Sequence, residues 1–218
     1  MTHPIRGLVL ASCLLGFLAG AAQAAEQHVK PMKTFAKTTV KQWISEPVLI
    51  AAIKAQNERY AGLTQAQIDS LDIQWRTETV LSRKPLINEV SGNALSQRLK
   101  ELKAATKGVV TEVFVMDNRG LNVAISDVTS DFWQGDEDKW QKTFLAGAGT
   151  VFVDAVEHDA STDSFQSQLS MSVTDPATGQ VIGAITVGIN VDRLNAVGLG
   201  SRALSDQMDS LRDPSGRM

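Results

Sequence analysis

Val181-Ile182-Gly183-Ala184-Ile185-Thr186-Val187-Gly188-Ile189 decides the fold. Its odd and even positions are both apolar, and a strand of that kind is covered on both faces and lies in the middle of a sheet. Upstream stands Asp175-Pro176-Ala177-Thr178-Gly179-Gln180, a turn sequence, preceded by the strand Gln166 to Thr174. The two strands therefore read as a hairpin. Val151 to Val156 reads as a further strand. An earlier hairpin runs from Val109 to Met116 and from Leu121 to Ile125, and its turn, Asp117-Asn118-Arg119-Gly120, has the Asn and Gly that tight turns need. The expectation is an antiparallel sheet of about five strands.

Before Val109 the period is that of a helix. Met32, Phe35, Ala36, Val40, Trp43 and Ile44 line one face of 29–44. Pro47 suits a first helical turn, so a second helix is expected from Pro47 to Tyr60. Thr64 reads as the N-cap of Gln65 to Arg76, with Ile68, Leu71 and Trp75 as its buried stripe. Ser82 to Gly92 is polar, contains Pro85, and is expected to be ordered only by packing. Asn93 opens another helix to Lys107, with Gly108 in the C-cap place. Helices first and strands after them give an α+β class.

The leading residues set the compartment. Arg6, the apolar run Gly7 to Ala22, and the small residues Ala22-Gln23-Ala24 follow the order of a secretory signal peptide. The division expected is a signal peptide at 1–24 cleaved after Ala24, one domain at 25–200, and a flexible tail at 201–218. Leu10-Ala11-Ser12-Cys13 resembles a lipoprotein box, but the apolar residues continue past it, and cleavage after Ala24 is the reading taken over anchoring at Cys13. Cys13 is the chain's sole cysteine, so the domain has no thiol, disulfide or cysteine metal site. Together these predict a periplasmic protein.

Charge excludes one partner class. The 21 Lys and Arg and 24 Asp and Glu are interspersed, with no clustered positive face of the kind that binds nucleic acid. No nucleophile elbow, P-loop, zinc-protease helix or EF-hand loop is present, and no cofactor pattern. Gly147-Ala148-Gly149 reads as a turn, and Asp127, Asp131, Asp136, Glu137 and Asp138 fit no calcium loop. His158, in Glu157-His158-Asp159, is read as a solvated loop tip. A hydrolase using His158 has nothing else in the chain to support it, so no enzyme, no catalytic residue and no metal ligand are expected.

The segment richest in binding chemistry is Ser130-Asp131-Phe132-Trp133-Gln134-Gly135-Asp136-Glu137-Asp138-Lys139-Trp140. Trp133 and Trp140 offer apolar walls, while Gln134 and Lys139 offer directed polar groups, the mixture a small-ligand pocket needs. Asp154 on the third strand and the polar Gln168 and Ser170 facing these tryptophans complete the expected ligand-binding set. Equally, Trp140 can anchor its short helix, and the polar strand residues can face solvent.

The order of these pieces resembles a Cache-type, PAS-like extracytoplasmic sensor domain. The residues that carry the likeness are Pro47 to Asn57, Ile68 to Arg76, Val113 to Gly120, Asp131 to Trp140 and Gly183 to Asn190. The resemblance implies a PAS-like central antiparallel sheet with long N-terminal helices packed on one face and a ligand pocket on the other. It implies a non-catalytic module that binds a small polar or anionic metabolite without a cofactor. No kinase, cyclase or second membrane helix follows in this sequence. The module is therefore expected to pass its state to a membrane-bound receptor or kinase, or to act as a homodimer through its N-terminal helices. The Tyr/Arg/Trp/Tyr/Asp pattern of amino-acid-binding members is missing. The alternative keeps the same fold with a filled pocket, as a structural or interaction protein.

Overall fold

The computed structural model describes residues 28–159 and 164–198. The expected signal peptide, its cleavage site, Cys13 and the tail at 201–218 lie outside them. Helix α1 starts at Val29–Phe35, passes through a π-helical turn at Ala36–Val40 and ends with Lys41–Trp43. Met32, Ala36, Val40 and Trp43 are its buried side chains. Glu46 is extended and Pro47 takes the first turn of α2, Pro47–Arg59. Thr64 caps α3, Gln65–Val80, through a reciprocal capping box with Gln67. That helix continues a turn beyond its expected end at Arg76.

Ser82 to Gly92 departs from expectation. It contains a helix, α4, Pro85–Gly92, because proline is at home in a first turn and Leu86, Ile87 and Val90 are buried on one side. Asn93 then caps α5, Ala94–Ala105, accepting from the Ser96 amide at 2.8 Å. Lys107 and Gly108, with φ of 52° and 85°, turn the chain out of α5.

Among the described residues, six strands form one antiparallel sheet: β1 Val110–Met116, β2 Asn122–Ile125, β3 Val151–Val153, β4 Glu157–Asp159, β5 Ser164–Thr174 and β6 Val181–Asn190. The order is β2-β1-β6-β5-β3, with β4 also paired to β5. This is the PAS-like layout: the first hairpin at one edge, the last strand in the middle. Two details differ from the sequence reading. The third strand stops at Val153, and Glu157-His158-Asp159, taken for a loop tip, is a strand with His158 opposite Phe165. The turn at 117–120 forms as expected, with the buried Asp117 carboxylate accepting from the Arg119 and Leu121 amides at 2.8 and 2.9 Å.

Alternation along the strands divides the core. Ile185, Val187 and Ile189 of β6 face α1, α2 and α5, together with Leu169 and Val173 of β5 and Val113 and Val115 of β1. On the other face Phe114, Met116 and Ala184 pack with Ile68 and Trp75 of α3, Ile87 and Val90 of α4, and Phe132 and Trp140. The N-terminal helices are thus shared between the faces instead of all lying on one. Helices α3 and α4 carry their own apolar stripes, and the second face is apolar at its β1–β2 end. Among the described residues, no helix is long and apolar enough to cross a membrane.

Candidate ligand-binding cleft

The second face changes character from one end to the other. Toward β2 it is roofed by Trp75, Phe132 and Trp140; toward β5 its residues are Gly188, Gln168 and Gln166. Over that polar end lies a cleft of about 510 Å³, within the usual range for small-molecule sites. Its floor is Glu112, Gln166, Gln168 and Gly188. One wall is Glu137 and Lys139, and the other is Asp154, Ala155, Glu157 and His158.

A backbone irregularity shapes the floor. The β1–β6 register shifts between Val110 and Glu112, so both Thr111 and Glu112 lie against Gly188. Bulges of this kind re-aim side chains. A Cβ at position 188 would stand 2.6 Å from both Glu112 Cγ and Thr111 Oγ1. The glycine therefore lets Glu112 lie across the sheet, where its Oε1 accepts from Gln168 Nε2 at 2.9 Å.

The Lys139 wall is placed by α3. The buried Asp72 carboxylate accepts from the Phe132 and Trp133 amides at 2.8 and 3.0 Å. Arg76 Nε bridges Asp72 and Asp131 at 2.8 and 2.9 Å. Farther along, the Gln134 amide donates to Gly120 O at 2.7 Å, pinning the segment to the β1–β2 turn. Lys139 Nζ is then held 2.7 Å from Glu137 and donates to Gln134 Oε1 at 3.3 Å. It also sits 5.6 Å from the centre of the Phe114 ring.

Of the expected ligand-binding residues, Lys139, Asp154 and Gln168 come together in the cleft. The other four lie elsewhere. Trp133 donates from its indole to Arg119 O at 2.8 Å and packs over Gly135. Trp140 donates to Asp117 O at 3.1 Å and stacks on Phe144 with centroids 4.9 Å apart. Gln134 is buried and bonded to Asp131 O and Lys139. Ser170 is fully buried against Thr186, at 2.9 Å. Gln166, polar on the same strand as Gln168, also lines the cleft, whereas sequence reasoning did not assign Glu112, Glu137 or Glu157 to the site. One signal for the floor was available, since a glycine inside a strand often marks a close approach, and Gly188 is such a residue.

Four carboxylates, those of Glu112, Glu137, Asp154 and Glu157, line the cleft with Lys139 and His158. Glu137 already matches the Lys139 ammonium. An anionic ligand, one of the expected kinds, would thus meet surplus negative charge. The acidic run 127–138 does not gather into a cation site: Asp127 pairs with Lys103, Asp131 with Arg76 and Asp138 with Lys142. Among the described residues, no group of three His, Cys, Asp or Glu is placed to hold a metal ion. Beneath Trp140, burial pushes the Asp117 carboxyl above the ordinary carboxylate value, against the pull of Gln56 and the Leu121 and Arg119 amides.

The strand order is that of a PAS-like α+β fold. No protein-family model and no curated protein matches the chain. Solved structures similar to it include the sensor domain of the V. cholerae histidine kinase DctB, at 13% identity and a TM-score of 0.34 over 67% of this chain and 58% of that one. The sensory domain of the Campylobacter jejuni chemoreceptor Tlp3 aligns at 15% identity and a TM-score of 0.37, over 81% of this chain and 64% of that one. The ligand-binding domain of the Pseudomonas aeruginosa PAO1 amino acid chemoreceptor PctC, in complex with GABA, aligns at 13% identity and a TM-score of 0.34, over 61% and 60%. This chain spans about three fifths of the length of these structures.

Proposed function

We propose that the chain is an exported, non-catalytic sensory module. It takes a small polar molecule bearing a protonated amine into the cleft, and it hands its state to a membrane-bound receptor or kinase. The observation that carries this reading is the cleft itself: a small-molecule volume on the second face of the sheet, with surplus carboxylates and two amide side chains on its lining. Glu112 is the carboxylate we assign to the ammonium, because Gln168 and the bare backbone at Gly188 fix its position. Gln166 and Gln168 supply the neutral hydrogen bonds that orient the remainder.

Thermal unfolding of the purified protein with 1,4-diaminobutane, ethanolamine and succinate tests the proposal. A ligand at a hundredfold its Kd stabilises the native state by about 2.7 kcal/mol. For a domain of this size that is a rise in Tm of roughly 5–10 °C. The amines should raise Tm, succinate should not, and E112Q should abolish the rise. Stabilisation by succinate alone, or an amine effect unchanged in E112Q, would overturn the reading.

A second reading has its own observation. An apolar groove of about 620 Å³ runs between α1, α5 and the helix at 191–198, lined by Phe35, Trp43, Leu102, Val109 and Val197 among others. There a second copy would bury the N-terminal helices in a homodimer. Light scattering of the natural protein and F35D distinguishes the two: a dimer that F35D splits supports it, and a monomer at all concentrations removes it.

A further inference from the structure

Helix α1 and the cleft meet at one residue. Val151 and Val153 of β3 pack against the core to which Met32 and Ala36 of α1 belong. Just beyond β3, the Asp154 carbonyl receives two side chains. Ser167 Oγ donates to it at 2.8 Å, and His28, immediately before α1, approaches it with Nε2 at 3.1 Å. A carbonyl only accepts, so the His28 proton is on Nε2. The ring is buried, and its Nδ1 is a buried atom without a hydrogen-bond partner among the described residues. A buried polar atom left unpaired is unfavourable, so the Asp154 bond and the surrounding packing must hold the ring in place. His28 O in turn accepts from the Met32 amide at 3.1 Å, which forms the first turn of α1. On the other side, Asp154 and Ala155 form part of the cleft wall.

We infer that His28 is a latch that ties the first turn of α1 to the cleft wall, so that displacing the wall loosens that turn. His28 touches no ligand; it is a positioning residue. This extends the proposed sensory role to the route by which occupancy leaves the cleft, and it names α1 as the reporting element. Any group that pushes residues 154–157 outward lengthens the His28–Asp154 bond. The first turn is open to such loosening, because the leading amides of a helix lack intrahelical partners.

The test needs no ligand, so its failure is separable from failure of the amine reading. Cys13 is the chain's sole cysteine, so the full chain with Cys13→Ser and Ala155→Cys carries one thiol, in the cleft wall. Alkylating that thiol with a bulky maleimide stands in for an occupant. Hydrogen exchange at the Met32 amide should quicken by about threefold or more on alkylation, as expected for local opening of a helix end. In H28L the unlabelled protein should already exchange fast and alkylation should add nothing. H28Q, whose side-chain amide can reach the same carbonyl, should restore the response, which a purely space-filling role would not require. Should H28L fail to fold, H28N, whose amide stops short of Asp154, serves as the uncoupled comparison. No change at Met32 on alkylation overturns the inference, as does an equal change without the histidine.

Discussion

Removing the Asp72 carboxylate should unfasten the segment that carries the Lys139 wall. Asp72 is buried at 7% exposure and its Oδ1 serves both the Phe132 and Trp133 amides. In D72A both donors lose their acceptor. A buried donor without a partner costs about 1–3 kcal/mol. Phe132 is fully buried and Trp133 half-buried, so the first donor should sit near the top of that range and the second near the bottom. The lost ion pair with Arg76 adds little, since the Arg76 side chain is 59% exposed. The sum is about 3–4 kcal/mol, or a fall in Tm of roughly 6–16 °C for a domain of this length. D72N keeps a carbonyl oxygen for both amides and loses only the charge, so its cost should be about 1 kcal/mol. Urea unfolding followed by tryptophan fluorescence, with equal m-values, reads both. A D72A cost below about 0.5 kcal/mol, the level of an ordinary surface change, would refute the reasoning. So would a D72N cost as large as that of D72A.

Two glycines in β6 should differ sharply. A Cβ at Gly183 would stand 2.2 Å from the Met116 carbonyl oxygen, which is backbone. G183A should therefore exceed the about 1–3 kcal/mol of ordinary overpacking, read as a large loss of Tm or of soluble protein. The atoms nearest to a Cβ at Gly188 belong to the Glu112 and Thr111 side chains and not to backbone. G188A should stay within that same overpacking range while abolishing amine binding, as calorimetry would show. On the acid side, the Lys54 ammonium, 2.9 Å away, holds the Asp175 carboxyl below its ordinary value of 3.8. Its stabilisation is complete above that value and disappears as pH falls through the lowered one. Acid titrations of thermal stability should show a steeper loss in the natural protein than in D175N. F132A, which empties a fully buried site stacked on Trp75 with centroids 5.3 Å apart, should cost about 3–5 kcal/mol in urea unfolding.

The strands and caps were legible because their signals are local. Period-two runs, the Asp-Asn-Arg-Gly turn at 117–120 and the Thr64 and Asn93 caps each depend on neighbours a few residues away. Helix α4 was not legible, because Ser82-Arg83-Lys84-Pro85 reads as a break until burial of Leu86, Ile87 and Val90 under the sheet is known. The short β4 was hidden for the opposite reason: Glu157-His158-Asp159 has no apolar alternation, and pairing with β5 alone defines it. The cleft was legible in part. Gln168 stood out as a polar residue in a strand otherwise fit for burial and Lys139 as a cation beside Trp140, but Trp133 and Trp140 misled. Each indole N–H donates to a main-chain carbonyl of the 117–120 turn, a partner 14 and 23 residues away that no local pattern announces. Glu112 shares the second face with Phe114 and Met116 by plain alternation, and it escaped because the site was read from the 130–140 segment and β5 without β1.

The π-helical turn at Ala36–Val40 carries a residue that a regular helix of the same rise would not need. It keeps Met32 and Ala36 in phase with Val40 and Trp43 across that extra residue. Deleting Thr38, whose hydroxyl reaches only Thr34 O and Thr39, would tighten the turn to the ordinary pitch and leave both halves of the rod facing the sheet. The long arm thus holds one position of slack, able to shorten by a residue without turning either end.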